Sequence, residues 1–356
     1  MNRPTSLLFR LGFFAAAAFL SSCSSMLFTS IDILRPAKVT FPADVTNIVL
    51  INNSVAQLPD YGHTTYDLNN REKKISIETD SLSIYCLAAL AEGMVEKEFF
   101  SKVTLEPNTI NKGDHYSTPA PPERELVQQA ATRNRAEGII SLNRILVNDK
   151  QGLVFDQDQN LFIGYIEAFY ETQWSVHFPL KNQIYTYSVK DTVYWESESY
   201  SRQRAAQGLP DRKNALIDGA LIVGEKSVNR FIPWWDKVDR YFFSSSRKAI
   251  KNGMEKIYRK EWTEAIKIWE EGVKATTSNT LKAQLSHNLA VVYEITGDVR
   301  KAKSSSDEAL EYFMLTYVSQ YDHLMIVANY NEQLEQRLRE VDKVNLQLGS
   351  EHQKTM

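Results

Sequence analysis

The chain has 356 residues, of which 43% are apolar and 24% charged, so a packed core is within reach and wholesale disorder is excluded. Lys and Arg number 41 against 44 Asp and Glu, and the net charge of −3 lacks the basic surplus of a general nucleic-acid binder. With only 2 cysteines the chain is neither a disulfide-dense scaffold nor a Cys-rich zinc module.

The chain opens with a charged, then apolar, segment. Arg3 and Arg10 precede the run 11–20 (LGFFAAAAFL), which at about ten residues is too short to span a bilayer. The run ends in Leu20-Ser21-Ser22-Cys23: a branched apolar residue, two small residues and a thiol. This tetrapeptide resembles the bacterial lipobox. The resemblance implies a lipoprotein signal peptide over 1–22, cleavage before Cys23, a diacylglyceryl group on the Cys23 thiol and an acyl chain such as palmitate on the new amino terminus. Several acyl chains anchor stably, because each buried methylene contributes about 0.8 kcal/mol. Ser24 rather than an aspartate follows the cysteine, which in lipoproteins of Gram-negative bacteria implies the outer membrane. Residues 24–29 carry no acidic surface-export cluster. The expected location is therefore the cell envelope, on the outer membrane and facing the periplasm.

Residues 23–43 read as a lipidated tether, with Pro36 and Pro42 as breakers. The apolar run 45–51 predicts a buried strand. The polar stretch 52–74, with Pro59, Gly62 and Asn69-Asn70, predicts a long loop in which His63 is solvated. Asp80 is placed to cap a helix to about Phe100. Its stripe of Leu82, Tyr85, Cys86, Ala89, Leu90, Gly93 and Met94 makes Cys86 a core thiol. A short strand over 103–105 follows. Pro121-Pro122-Glu123 start a second helix to about Asn134, and 138–147 is a strand.

Two long strands of period two come next. One gathers Ile166, Ala168, Tyr170, Trp174, Val176 and Phe178 on a face, the other Tyr185, Tyr187, Val189, Val193 and Trp195, with 179–182 as the turn. Asp211 caps a helix to about Phe231 that Pro233 stops. This order predicts an α/β sandwich over 44–232, with a mixed sheet and a long β-hairpin. Its topology resembles the small α/β domains at the amino ends of some periplasmic assembly and secretion lipoproteins. A junction over 233–246 contains Trp234 and Trp235, which read either as a lock between domains or as candidate partner or glycan contacts.

From 247 to 348 the pattern is helical throughout. Asn288-Leu289-Ala290, Tyr293, Gly297-Asp298, Ala302 and Ala309 fall at the spacings of one tetratricopeptide repeat, which they resemble. That resemblance implies small residues where two helices approach, Tyr293 filling the gap between them, and Gly297 ending the first helix. Ser306 departs from the pattern, standing where the family has an aromatic residue. Gly253, Trp262, Ala265, Trp269 and Gly272 form a looser earlier unit, and 318–348 reads as a charged capping helix with Glu335 and Arg339 paired four apart. The fold class expected is thus α+β: an α/β sandwich followed by all-α tetratricopeptide-like repeats. The whole layout resembles a group of uncharacterised tetratricopeptide-type lipoproteins of Gram-negative bacteria, a likeness that implies fold and location and no activity.

Recognisable catalytic chemistry is sparse in the sequence. No phosphate-binding Gly-rich loop and no Gly-x-Ser-x-Gly elbow occurs, and the six histidines form no i, i+4 pair. Glu167 and Glu171 lie about 13 Å apart along a strand, too far for a glycosidase pair. Glu196 and Glu198, about 7 Å apart, fit the inverting spacing yet read as a solvent face. No catalytic, metal or cofactor residues are therefore assigned, and the covalent lipid is the one prosthetic group expected. The leading expectation is a non-enzymatic, membrane-anchored scaffold whose repeats hold an envelope protein or peptide in a groove. The alternative is a glycan-binding outer-membrane lipoprotein, which a row of exposed aromatic residues would support. A periplasmic hydrolase is the third reading.

Overall fold

The structure is a computed structural model that describes residues 25–352 apart from 68, 70 and 112–115. The expected signal peptide over 1–22 and Cys23 lie outside the described residues. The chain divides into two compact units. One holds residues 37–233 and the chain end from 347; the other holds the chain up to Pro36 together with 234–346.

The first unit is built on a seven-stranded mixed sheet. Its strands are β2 (Asn47–Asn52), β3 (His63–Tyr66), β4 (Glu72–Lys74), β5 (Lys102–Thr109), β6 (Gly138–Asp156), β7 (Leu161–Phe178) and β8 (Gln183–Ser199). Strand β6 is the hub. Its first half pairs in parallel with β2, which pairs with β5, and its second half pairs with β3, which pairs with β4. Along its other edge β6 runs antiparallel to β7, and β7 to β8. The helices α1 (Leu82–Glu96), α2 (Arg124–Asn134), α3 (Arg202–Gln207) and α4 (Arg212–Phe231) complete the unit. Helices α1 and α4 bury Leu87, Leu90, Leu216, Val223 and Phe231 against Leu50, Ile140, Val147, Ala168 and Trp174. Helix α2 packs Val127, Ala130 and Ala131 on the opposite face, against Val49, Ile51 and Ile139. Being covered on both faces explains why β2 is a continuous apolar run rather than an alternating one.

Local chemistry sets the helix ends. Asp211 accepts from the Asn214 N–H at 3.1 Å and starts α4. Helix α1 begins after Ser81 with no side-chain cap, so Asp80 does not cap it as the sequence suggests. Asn182, in the left-handed region at φ 50°, closes the turn between β7 and β8. The stretch 52–74 is not a single loop: β3 and β4 lie within it, and His63 is buried instead of solvated.

The second unit pairs β1 (Ser25–Arg35) antiparallel with β9 (Trp234–Ser244), from Ser25 opposite Ser244 to Arg35 opposite Trp234. Residues 25–35 are therefore a strand and not a tether, and the junction over 233–246 is largely its partner. The helices are α5 (Lys248–Tyr258), α6 (Trp262–Ala275), α7 (Asn279–Ile295), α8 (Val299–Met314) and α9 (Tyr317–His352). One face of the β1–β9 ribbon, with Leu27 and Phe242, packs on Ile250, Trp269 and Leu289. The other, with Met26 and Phe243, packs on Ala309, Phe313 and Val327. Asn288 grips the ribbon main chain, accepting from Phe243 N–H at 2.8 Å and donating to Phe243 O at 2.9 Å. Arg240 forks onto Glu294 at 2.7 and 2.9 Å, and Tyr330 donates to the same carboxylate at 2.8 Å. Ribbon and helices together bury every residue of α7 from Ala283 to Glu294.

Candidate functional site

The sequence offers no catalytic motif, so the site is sought where polar and aromatic side chains converge. Three of the sequence-predicted residues in the helical region, Ala290, Ala302 and Ala309, are fully buried. Tyr293 donates to Glu270 Oε1 at 2.6 Å, and Gly297 has φ +85°. Ser306 is buried, and Asn331 of α9 donates to its hydroxyl at 3.3 Å, filling the place of an aromatic with a polar contact. These positions are structural rather than exposed contacts. Of the two tryptophans in β9, Trp234 is half-buried and Trp235 is 59% exposed. Among the described residues no group of three or more His, Cys, Asp or Glu is placed to hold a metal ion, and no helix is long and apolar enough to cross a membrane.

Two buried polar networks stiffen the sheet. In one, Asp149 sits between His63 Nδ1 at 2.5 Å and Arg212 Nε at 2.6 Å, with Gln57 Nε2 3.3 Å from His63 Nε2. In the other, Asn143 Oδ1 accepts from Ser141 at 2.8 Å and Ser175 at 3.2 Å, and Ser175 Oγ lies 2.7 Å from His177 Nε2. Burial pushes the His177 imidazolium down to about 4, so the ring is neutral. Both networks are sealed from solvent, which suits fold specification better than turnover.

The open chemistry lies on one face of the sheet. A register shift between Leu142 and Arg144 changes which residues of β6 face α2. Beyond it the outward side chains of β6 are Asn148, Lys150 and Val154, all exposed. On β7 the outward residues Tyr165, Glu167, Phe169 and Glu171 are half-buried, and on β8 Tyr194, Glu196 and Glu198 follow. Tyr165 stands opposite Gly152 on one side and Glu196 on the other, and Glu167 stands opposite Lys150 and Tyr194.

The Tyr165 ring lies over Gly152, where a Cβ would come within 2.6 Å of its hydroxyl and push the ring aside. The Tyr165 and Tyr194 rings stack at 6.5 Å with 11° between planes, and Tyr66 donates to Glu72 at 3.2 Å on the neighbouring strand pair. The result is a band of three phenols, Tyr66, Tyr165 and Tyr194, bordered by Glu72, Glu167 and Glu196. Burial, then Tyr66 and Glu167, holds the Tyr165 phenol above its ordinary range; burial, then Glu196, Glu167 and Tyr165, does the same for Tyr194. Both are therefore neutral hydrogen-bond donors at neutral pH. Beside the band is a cavity of about 360 Å³ lined by Tyr61, Tyr66, Glu72, Lys74, Lys150 and Phe169. Lys150 lies 5.5 Å from the Phe169 ring centroid.

Of the sequence-predicted acids, Glu171 is committed to an ion pair with Arg144, and Lys190 lies at 3.7 Å. Glu196 and Glu198 stand two apart on the outer face of the edge strand β8, as a solvent face would. The band itself was not visible in the sequence, because its three tyrosines come from three strands whose register only the fold supplies.

No curated protein matches the chain. Among solved structures it is similar to a PelC dodecamer from Paraburkholderia phytofirmans, with 11% identity over 57% of this chain and 97% of that chain and a TM-score of 0.26. It is also similar to an uncharacterized protein, with 6% identity over 56% of this chain and 99% of that one and a TM-score of 0.25. Residues 251–336 match the model of a second domain of unknown function, DUF6340. Residues 45–243, more than half of the chain, match the family model described as Domain of unknown function (DUF8603), and the chain belongs to that family.

Proposed function

We propose that the protein is a non-enzymatic lipoprotein of the cell envelope, anchored to the outer membrane through Cys23 and facing the periplasm, that acts as a protein–protein interaction scaffold. The observation that carries this reading is strand β8. Its 17 residues, Gln183–Ser199, pair with β7 along one edge, and no described strand pairs with the other. Such an edge suits the addition of a strand from a partner. The helices α7 and α8 support the tetratricopeptide-like description through the close approach at Ala290, Ala302 and Ala309. In this reading they are a structural support, since Asn288 and Glu294 of α7 already hold the chain's own strand β9. The partner surface therefore moves from a helical groove to the sheet edge.

The test is photo-cross-linking in cells, with the reactive residue placed at Thr186 or Thr192 of β8 and, as a control, at Lys267 of α6, all exposed. A single envelope protein captured from the two edge positions and not from the control is expected. Equal capture from all three, or from none, refutes the scaffold.

A second reading, a glycan-binding lipoprotein, is favoured by the band of Tyr66, Tyr165 and Tyr194. Neutral phenols bordered by carboxylates offer ring faces to the C–H faces of a sugar and acceptors to its hydroxyls. Retardation in polysaccharide-containing native gels that Tyr165→Ala and Tyr194→Ala remove would support it. Unchanged mobility of the wild-type protein across envelope polysaccharides would dispose of it.

A further inference from the structure

We infer that the corner between α8 and α9, together with the first turn of α5, is a bilayer-docking face that lies flat on the membrane holding the lipid anchor; this rests on the reading of Cys23 as lipidated. The first observation is distance along the chain. Strand β1 begins at Ser25, two residues after Cys23, and two residues reach at most about 7 Å. With no spacer between acyl chains and folded strand, whatever surrounds the start of β1 is held at the headgroups.

The second observation is what surrounds it. Ser25 is opposite Ser244 and Met26 opposite Phe243. Phe243 in turn lies 5.6 Å from Phe313 at the end of α8 and 5.0 Å from His323 near the start of α9. At that corner Phe313 points inward, but several other large apolar side chains point outward. Leu315 is 68% exposed, Met314 60%, and Tyr321 and Met325, one turn apart on α9, 60% and 51%. Phe28, on the same ribbon face as Met26, is 69% exposed. Several large apolar side chains exposed around one corner mark an interaction surface.

The third observation is charge, and it selects lipid over a protein groove. Three residues beyond Ser244, exposed Arg247 stands at the N-cap of α5, and exposed Lys248 and Lys251 lie in its first turn. The apolar corner packs on one face of the ribbon and the basic turn of α5 on the other, both at the ribbon end nearest Cys23, and together they fit an anionic bilayer surface, the first entering the acyl boundary and the second meeting phosphates.

The test uses the full lipidated chain reconstituted into phosphatidylethanolamine–phosphatidylglycerol vesicles that carry nitroxide-labelled lipid. A fluorophore is attached at Leu315→Cys or, as control, at Tyr258→Cys at the far end of α5. Cys86 is fully buried and does not compete for label. Quenching at 315 at least about threefold above that at 258 is expected for a side chain at the acyl boundary, and Met314→Glu should abolish the difference while far-UV circular dichroism is unchanged. Equal quenching at both positions in a protein whose Cys23 carries lipid by mass spectrometry overturns the docking face and leaves the anchor standing. Should Cys23 carry no lipid, the anchor reading falls, and flotation of the same unlipidated chain on anionic vesicles decides the face. Flotation lost in Leu315→Glu upholds it; no flotation overturns it.

Discussion

Arg212 is the first residue of α4 and the point where that helix is fastened to the sheet. Its guanidinium donates to Asp149 Oδ2 at 2.6 Å, Thr64 O at 2.6 Å and Thr65 Oγ1 at 2.8 Å. The Asp149 side chain is wholly buried and that of Arg212 is 9% exposed. Arg212→Met keeps most of the aliphatic stem and removes the charge. It leaves the buried Asp149 carboxylate with His63 but without the guanidinium, and the Thr64 carbonyl without this donor. Breaking a buried pair from one side costs about 3–5 kcal/mol, because the remaining charge keeps its desolvation penalty and loses its attraction. Arg212→Lys retains charge but not the fork, and should cost less, about 1–3 kcal/mol. The double variant Asp149→Leu with Arg212→Met should be less destabilised than the sum of its singles by at least about 1.5 kcal/mol.

Urea unfolding followed by circular dichroism measures these differences. Hydrogen exchange of the α4 and β3 peptides localises them, since loss of the fastening should open both first. A cost below about 1 kcal/mol for Arg212→Met would refute the reasoning, as would unchanged exchange in β3, because either would mean that water already reaches Asp149.

Burial lowers both His177 and His287 to about 4, below the roughly 6.5 of an unfolded chain. Between those values the unfolded chain takes up protons that the folded chain refuses. Stability is thus complete above about pH 6.5 and falls as the pH drops toward 4, by about 2 kcal/mol per histidine at pH 5. His177→Asn and His287→Asn should each flatten the urea midpoint against pH, and parallel profiles would count against neutral buried rings. The Cys86 thiol is pushed up to about 12 by complete burial, so an aromatic disulfide reagent should label it at the rate of unfolding; prompt labelling of the folded protein would contradict its placement. Gly297 has φ +85° and open space where a Cβ would stand, so its replacement is felt by the backbone alone. Gly297→Val should cost about 1–2 kcal/mol and Gly297→Asn distinctly less, and equal melting shifts for the two would exclude a left-handed requirement.

The parts legible in the sequence are those whose causes are local. Asp211 starts α4 through a bond three residues away, Gly297 ends α7 through its own φ, and the period of two in β7 reports a face that is buried along its length. The parts that were missed depend on partners far along the chain. Strand β1 lies between Cys23 and Pro36, where the lipobox resemblance suggests a linker, and only β9, some two hundred positions later, makes it a strand. His63 sits in a polar stretch with loop composition, and its burial follows from Asp149, 86 residues on, and from Arg212 beyond it.

The open sheet face shows the same dependence most sharply. Up to Leu142 the alternation in β6 is that of a strand packed on both sides; past the register shift at Leu142/Arg144 it resumes with Lys150 and Gly152 on the opposite parity. A reader following the period would end the strand near Val147. Because a one-residue offset moves every later side chain across the sheet, this bulge decides that Gly152 is the residue lying under Tyr165 and that Asp149 turns inward to His63. A single irregularity in one strand thus places both Asp149 of the buried ion cluster and the Gly152 that lies under the aromatic band. Deleting one residue from the bulge should turn Asp149 outward and Lys150 and Gly152 inward, and so disrupt both sites.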